Sequence, residues 1–313
     1  QWVKPIGKPL SVSVVQANIN QAIKWEPEVI AHTLQTYEAL TRQSKGQLVV
    51  WPETAIPMFQ EQIPQDYLYR LYKIARIRKG DILYGVPVLD PDGQYYNALV
   101  TTGSSPTQQY RKQHLVPFGE YNPAKSLFGW FFAHFNVPMA DFSKGENNKP
   151  LAIAGQKIAA SICYEDIFGG EIARTTHDAT LMVNISNDGW FGNSVAPDQH
   201  LQMNQMRARE NQRFMVRSTN TGISAIIDPR GNLVGHIPTG QAGVLEGTVQ
   251  GFTGITPYSR WGDSIVYGMI LALALAGLAT HLWARWTHKP NPKDADNELA
   301  IQQALDDEEK LYR

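Results

Sequence analysis

A single cysteine, Cys163, stands in a chain of 313 residues. One thiol cannot close an internal disulfide, so the fold does not depend on oxidation, and a multi-cysteine zinc site is excluded. An excess of charge of one sign is also missing: 28 Lys and Arg face 29 Asp and Glu, a formal net charge of −1. Such a chain carries no global field for nucleic acid. The sequence shows no internal repeat and no low-complexity tract, which argues against solenoid and disordered classes. No initiator methionine precedes Gln1 and no charged-then-apolar leader follows it, so the chain is expected to be a fragment or a processed product. One more absence is local: from Ile265 to Ala284 there is no Asp, Glu, Lys or Arg.

That uncharged stretch has the length of a membrane span. About 20 residues at roughly 1.5 Å each cross a hydrocarbon core of about 30 Å. Trp261, Tyr267, Trp283 and Trp286 fall near its ends, as interfacial aromatics do. A buried core helix is the alternative, but the stretch follows the globular part and precedes a polar tail. Arg285, His288, Lys289 and Lys293 follow it, whereas Arg260 precedes it beside Asp263. The positive-inside rule then places the C-terminus in the cytoplasm and the globular part outside.

The remainder reads as an α/β protein of 43% hydrophobic and 18% charged residues, long enough for a large core. Residues 1–8 read as an irregular lead-in. Strand patterns run over 10–16, 47–51, 82–88, 96–102, 157–162, 180–185, 224–228 and 244–249, and helical patterns over 27–43, 64–79 and 198–214. Strands alternate with helices early and pair locally later, which predicts layers of helix on sheet. The expected division is a lead-in (1–8), a catalytic domain (9–252), a transmembrane helix (264–286) and a polar tail (287–313).

Three segments carry chemistry. Glu53 follows the apolar run Gln47–Trp51, Lys112 lies in Tyr110–His114, and Cys163 ends the run Lys157–Ile162. In open α/β sheets, sites gather beyond the carboxyl ends of strands. A thiolate is a strong nucleophile, but a free thiol near neutral pH is mostly protonated. A glutamate can take that proton, and a lysine can offset negative charge. The lysine and the backbone N–H of Tyr164 can stabilise an oxyanion. Taken singly, Cys163 reads as a small buried hydrophobe, Glu53 as a surface or capping carboxylate and Lys112 as a solvated charge. Together they are far more specific.

The chain resembles the nitrilase (carbon–nitrogen hydrolase) superfamily, whose sites use a Glu-Lys-Cys triad, and within it the apolipoprotein N-acyltransferases. The resemblance rests on KWEPE (24–28), VVWPETAIP (49–57), YRKQHLVPFGEYNP (110–123), SICYEDIFG (161–169), ISNDGWFG (185–192), QMRARENQRFMVRSTNTGISA (205–225) and TGITPYSRWGD (253–263). It implies a four-layer αββα sandwich followed by one transmembrane helix. It also implies Glu53 as base, Lys112 as charge and oxyanion stabiliser, Cys163 as nucleophile, and supporting positions Trp25, Glu120, Tyr164 and Glu165. Glu120 is expected to hold Lys112 or share its proton traffic, and Glu165 to orient the turn at the strand end. The expected reaction is ping-pong acyl transfer from the sn-1 ester of a phospholipid such as phosphatidylethanolamine to the N-terminal amine of a diacylglyceryl-cysteine lipoprotein. Neither cofactor, metal nor nucleic acid is implied. The expected setting is a bacterial inner membrane, with a periplasmic catalytic domain and further membrane helices ahead of Gln1.

Three stretches are weighed apart. Leu127–Val137 is strongly aromatic; Phe128, Trp130, Phe131, Phe132 and Phe135 read either as core or as an arm dipping into the lipid. Trp190 and Phe191 either line an acyl pocket or simply pack. Arg207, Arg209, Arg213 and Arg217 read as structural ion-pair partners, with phosphate headgroup contact as the alternative. Two other functions share part of the pattern: a membrane-tethered amidase acting on a small C–N substrate, and an anchored binding module that would not need base, lysine and thiol together.

Overall fold

The structure is a computed structural model, described here for residues 2–121, 141–146, 149–192, 194–287 and 292–311. In chain order its first half holds β1 (Val3–Gln16), α1 (Pro27–Gln43), β2 (Leu48–Val50), α2 (Gln65–Ile77), β3 (Asp81–Leu89), β4 (Tyr95–Gly103) and β5 (Gln109–Arg111). Then come β6 (Leu151–Ile153), β7 (Gln156–Ile162), α3 (Gly169–Thr176), β8 (Leu181–Ser186), α4 (Ala196–Asn211), β9 (Met215–Thr219), β10 (Ser224–Ile227), β11 (Leu233–Ile237), β12 (Gly243–Gly254) and α5 (Pro257–Trp261). Among the described residues these strands form two six-stranded sheets, ordered β12-β1-β2-β3-β4-β5 and β11-β10-β9-β8-β7-β6. Each sheet has a parallel centre, β1-β2-β3 in one and β7-β8-β9 in the other, flanked by antiparallel strands.

Strand alternation explains why the sheets stack. Leu48 and Val50 of β2, Ile158, Ala160 and Ile162 of β7, and Leu181, Val183 and Ile185 of β8 all join one buried cluster between the sheets. Their sequence neighbours point the other way. Val49 and Trp51 pack with Tyr37, Tyr67 and Leu71 under α1 and α2. Ala159 and Met182 pack with Leu201 and Ala208 under α4. The layers are therefore α, β, β, α, as the resemblance implied, and the helices are amphipathic because each covers one outer sheet face.

The expected irregular lead-in over 1–8 is corrected: β1 starts at Val3, and Val3–Ile6 pair with Gly251–Gly254 of β12. The register shifts between Ile6 and Leu10, where Gly7 takes φ +69°. That bulge interrupts the alternation and hid the strand. The compact unit extends to Gly262, beyond the expected boundary at 252. Strands β5, β6, β9 and β11 were not anticipated; β5 and β6 have only three residues each.

The second unit, Asp263–Arg313, is described by itself. It holds α6 (Ser264–Thr287), 24 residues long and apolar enough to cross a membrane, and α7 (Pro292–Leu311), where a polar tail was expected. The aromatic segment with Phe128, Trp130, Phe131, Phe132 and Phe135 lies outside the described residues.

Candidate active site

Glu53 is placed by the turn after β2. Trp51 donates from its backbone N to Leu83 O (2.8 Å), Gly85 N to Pro52 O (3.2 Å) and Ile56 N to Gly85 O (3.2 Å), so residues 51–56 lie down on β3. Gly85 is required there. A Cβ on it would sit 2.5 Å from Pro52 O and 2.7 Å from Glu53 Cα. Lys112 follows β5 directly; its N–H donates to Asn97 O of β4 at 2.8 Å.

These placements bring three buried polar side chains, Glu53, Lys112 and Asn97, together with the partly buried Glu120. The Lys112 Nζ, 1% exposed, lies 3.3 Å from Glu53 Oε1 and 2.9 Å from Glu120 Oε2. Asn97 Nδ2 donates to Glu53 Oε1 (2.7 Å) and to Glu120 Oε1 (2.9 Å). The Val116 N–H donates to Glu120 Oε2 at 2.8 Å. Burial alone would lower the Lys112 ammonium, but Glu53, Cys163 and Glu120 more than offset it, so it stays above the ordinary lysine range. Glu120 is thus in direct contact with the Lys112 ammonium.

Cys163 begins the turn of residues 163–167 at the end of β7 and takes φ +55°. A non-glycine residue in that region is strained and persists only where its surroundings fix it. Glu165 supplies part of the fixing. It accepts from Ile162 N (2.7 Å), Gln113 N (2.6 Å), His114 N (3.0 Å) and Tyr110 Oη (2.9 Å), which ties the turn to the Lys112 segment. Burial pushes the Glu165 carboxyl up, against these donors and Lys112. Tyr164 donates to Leu115 O at 3.0 Å, and its ring lies 5.9 Å from Lys112 Nζ. Burial pushes the Cys163 thiol up to about 12; Glu53 and Asp188 add to this, while Lys112 and the Ser186 hydroxyl pull it down. The resting sulfur is thus a thiol, electrostatically coupled to both other members of the expected triad.

A second buried network was not foreseen. The Cys163 carbonyl accepts from Asn184 Nδ2 (3.1 Å) and from His200 Nε2 (3.2 Å). His200 also meets Asp166 at 3.1 Å and, through Nδ1, Asp188 at 3.0 Å. Both ring nitrogens therefore face acceptors, which fits an imidazolium. Burial and Arg217 lower its pKa, but Asp166 and Asp188 raise it further. Arg217, fully buried on β9, donates to Asp188 Oδ2 and Asn184 Oδ1, each at 2.8 Å. Burial would raise Asp188, yet Arg217 and His200 hold it well below the carboxylate range.

Arg217 is thus a structural ion-pair partner, though on a strand rather than the expected helix. Arg213 is spent on backbone carbonyls, and Arg207 on Asp166 O, Ile167 O and Glu210. At 0–9% exposure, these three cannot meet a headgroup. Trp25 and Trp190 are instead exposed, 52% and 75%.

Lys24 also went unnoticed in sequence. It is 1% exposed, and its Nζ meets no hydrogen-bond partner among the described residues. Burial pulls it down to about 8, against the opposing effect of Glu53. Among the described residues, no group of three or more His, Cys, Asp or Glu side chains is arranged to hold a metal.

Comparison with known proteins follows the same line. Residues 11–258 match the family described as carbon-nitrogen hydrolase. The chain is 49% identical over 278 residues to "Apolipoprotein N-acyltransferase" of Nitrosomonas europaea, covering 88% of this chain and 56% of that one. It is 43% identical over 272 residues to the protein of the same name from Methylococcus capsulatus, covering 86% and 54%. The chain thus spans about half the length of these curated relatives. Among solved structures it is similar to a Saccharomyces cerevisiae member of branch 10 of the nitrilase superfamily (TM-score 0.60, 20% identity, 79% of this chain and 92% of that one). It is also similar to an amidase from Nesterenkonia (TM-score 0.54, 19% identity, 79% and 92%). At such identities these two show the fold alone.

Proposed function

The chain belongs to the carbon–nitrogen hydrolase family, and from that premise we propose that it is the catalytic part of an apolipoprotein N-acyltransferase. The observation that carries this reading is the buried Glu53–Lys112–Glu120 cluster coupled to Cys163. The names of the relatives, and a helix able to cross a membrane, favour a lipid substrate over a small amide.

In the first half-reaction, Cys163 Sγ attacks the sn-1 ester carbonyl of a phospholipid while Glu53 takes the thiol proton. This resolves the high thiol pKa: the proton leaves as the C–S bond forms, so a resting thiolate is not needed. Lys112 and the Tyr164 N–H stabilise the oxyanion. The ester C–O bond then breaks, Glu53 returns the proton to the leaving alkoxide, and a lysophospholipid departs from a Cys163 thioester. In the second half-reaction the α-amine of a diacylglyceryl-cysteine lipoprotein attacks that thioester. The globular unit works on the periplasmic side of a bacterial inner membrane, anchored by α6 and by membrane segments of the intact protein.

Intact-mass measurement after mixing the chain with phosphatidylethanolamine in detergent tests this. One acyl mass on the wild type, absent from Cys163→Ala and released by neutral hydroxylamine, supports the thioester. No adduct, with covalent capture of a small amide instead, promotes the amidase reading.

A further inference from the structure

In the proposed attack, one of the two oxyanion donors is the backbone N–H of Tyr164. It belongs to the peptide that joins Cys163 to Tyr164. That peptide is trans, so its N–H and the Cys163 carbonyl point to opposite sides of one rigid plane. Whatever holds the carbonyl therefore aims the donor. The backbone here has a reason to turn. Cys163 takes φ +55°, a conformation that costs about 1–3 kcal/mol for a residue with a side chain. Rotation of the adjoining peptide plane is the nearest outlet for that strain, and it would swing the N–H away.

Two buried side chains oppose that rotation. Asn184 Nδ2, on β8, donates to the Cys163 carbonyl at 3.1 Å and to Ser161 Oγ at 3.0 Å. His200 Nε2, on α4, reaches the same carbonyl at 3.2 Å and Asp166 Oδ1 at 3.1 Å. Both side chains are themselves clamped. Asn184 Oδ1 accepts from Arg217 Nη1 at 2.8 Å, and His200 Nδ1 meets Asp188 Oδ1 at 3.0 Å. Arg217 Nη2 closes the ring on Asp188 Oδ2 at 2.8 Å. All four side chains are buried, so water competes little for these bonds. The two donors also polarise the peptide. Density drawn onto the carbonyl oxygen leaves the N–H at the other end more positive, an effect strengthened in a low-dielectric interior.

We propose that Asn184 and His200 are positioning residues for the oxyanion: by holding the Cys163 carbonyl, they aim the Tyr164 N–H at the charge that develops in the attack. The inference rests on the proposed attack of Cys163 on an acyl carbonyl, and it holds for any acyl donor. In that step the C–S bond forms, the carbonyl π pair moves onto oxygen and the thiol proton passes to Glu53. The negative oxygen exists only beyond the ground state, so its donors act on rate rather than on binding. Alkylation of the same sulfur by a haloacetamide also forms a C–S bond, but it expels halide and makes no oxyanion. A defect in the placing of the sulfur slows both reactions; a defect in the aim of the N–H slows acylation alone.

The test measures two rates on the whole chain in detergent: acylation of Cys163 by a soluble activated ester, and its alkylation by a neutral haloacetamide. Asn184→Leu is close in size and changes no charge. Its acylation is expected to fall about thirtyfold, less than the roughly 10²–10³ of a deleted oxyanion donor because His200 still holds the carbonyl. Its alkylation is expected to change less than about threefold, since no oxyanion forms. His200→Leu and His200→Gln lose the same charge, but only glutamine keeps an N–H able to reach the carbonyl. Acylation is expected to be about tenfold slower in the leucine variant than in the glutamine variant, with alkylation alike in the two. The histidine pair decides alone if Asn184→Leu does not fold. Equal losses of acylation and alkylation would show that the network only builds the fold, and would overturn the inference. Wild-type acylation in Asn184→Leu, or no difference between the histidine variants, would overturn it too. A wild type acylated by the soluble ester but not by phospholipid overturns the lipid reading, while the same two rates still decide this inference. A wild type acylated by neither donor overturns both.

Discussion

Lys112→Met probes the central pairing most directly. The ammonium is 1% exposed and lies 3.3 Å from Glu53 and 2.9 Å from Glu120. Its removal leaves the buried Glu53 and the partly buried Glu120 carboxylates bridged only by the Asn97 amide, which donates to both. Breaking a buried ion pair from one side costs about 3–5 kcal/mol. At roughly 2–4 °C per kcal/mol for a domain of this size, melting should drop by about 10 °C. Adding Glu120→Gln removes one stranded charge, so the double variant should recover about 2 kcal/mol, the size of coupling expected between contacting residues. Arg42→Met is the control. It breaks a pair with Glu38 in which the arginine side chain is 55% exposed, and should cost less than about 1 kcal/mol. Thermal and urea denaturation of the four proteins in detergent settles the matter. If Lys112→Met melts with the control, or the double variant is no more stable than the single, the cluster is not an ionic unit.

Three further outcomes follow from the same geometry. Gly85→Ala should abolish thioester formation, because its Cβ, 2.7 Å from Glu53 Cα, pushes the base aside; intact mass after exposure to phospholipid reads it. Alkylation of Cys163 by a neutral haloacetamide should rise about tenfold per pH unit across the alkaline range, since the thiolate forms only as pH approaches about 12, and Lys112→Met should slow it about tenfold at fixed pH. Lys24 has a folded pKa of about 8 against an ordinary 10.5, so the unfolded chain binds more protons between these values. Stability should therefore increase as pH rises from 8 towards 10.5, by about 3 kcal/mol in all, and denaturant midpoints for Lys24→Met should lack that rise.

Much of this was legible in the sequence because the relevant signals are local. Alternating apolar runs located β2, β7 and β8, and the resemblance named Glu53, Lys112, Cys163, Glu120 and Glu165, which the fold gathers at the same seam. What escaped depends on distant pairing. The first residues of β1 look irregular, yet pair with β12 more than 240 residues later. Lys24 opens the KWEPE motif, but its burial is a product of the fold and leaves no mark in the neighbouring residues. His200 and Asp188 lie 12 residues apart and meet only because α4 folds back over β8. The aspartate lies inside ISNDGWFG, where the tryptophan drew notice instead.

The two networks also explain how one site tolerates so many buried charges. The first sheet and the segments leaving it bring Glu53, Glu120, Lys112 and Lys24; the second brings Asp166, Asp188, His200 and Arg217. Counted in their charged forms, each set sums to zero. Passing the Cys163 proton to Glu53 turns one carboxylate neutral as one thiolate appears, so the balance of the first set and the sulfur together is kept through the attack. Burying an uncompensated ion costs several kcal/mol, which a reaction step could not absorb without slowing. Glu165 stands outside both sets: it leans on three backbone N–H groups and a tyrosine, and burial pushes its carboxyl up. That division suits a residue that shapes the Cys163 turn while the charged groups on either side move protons across it.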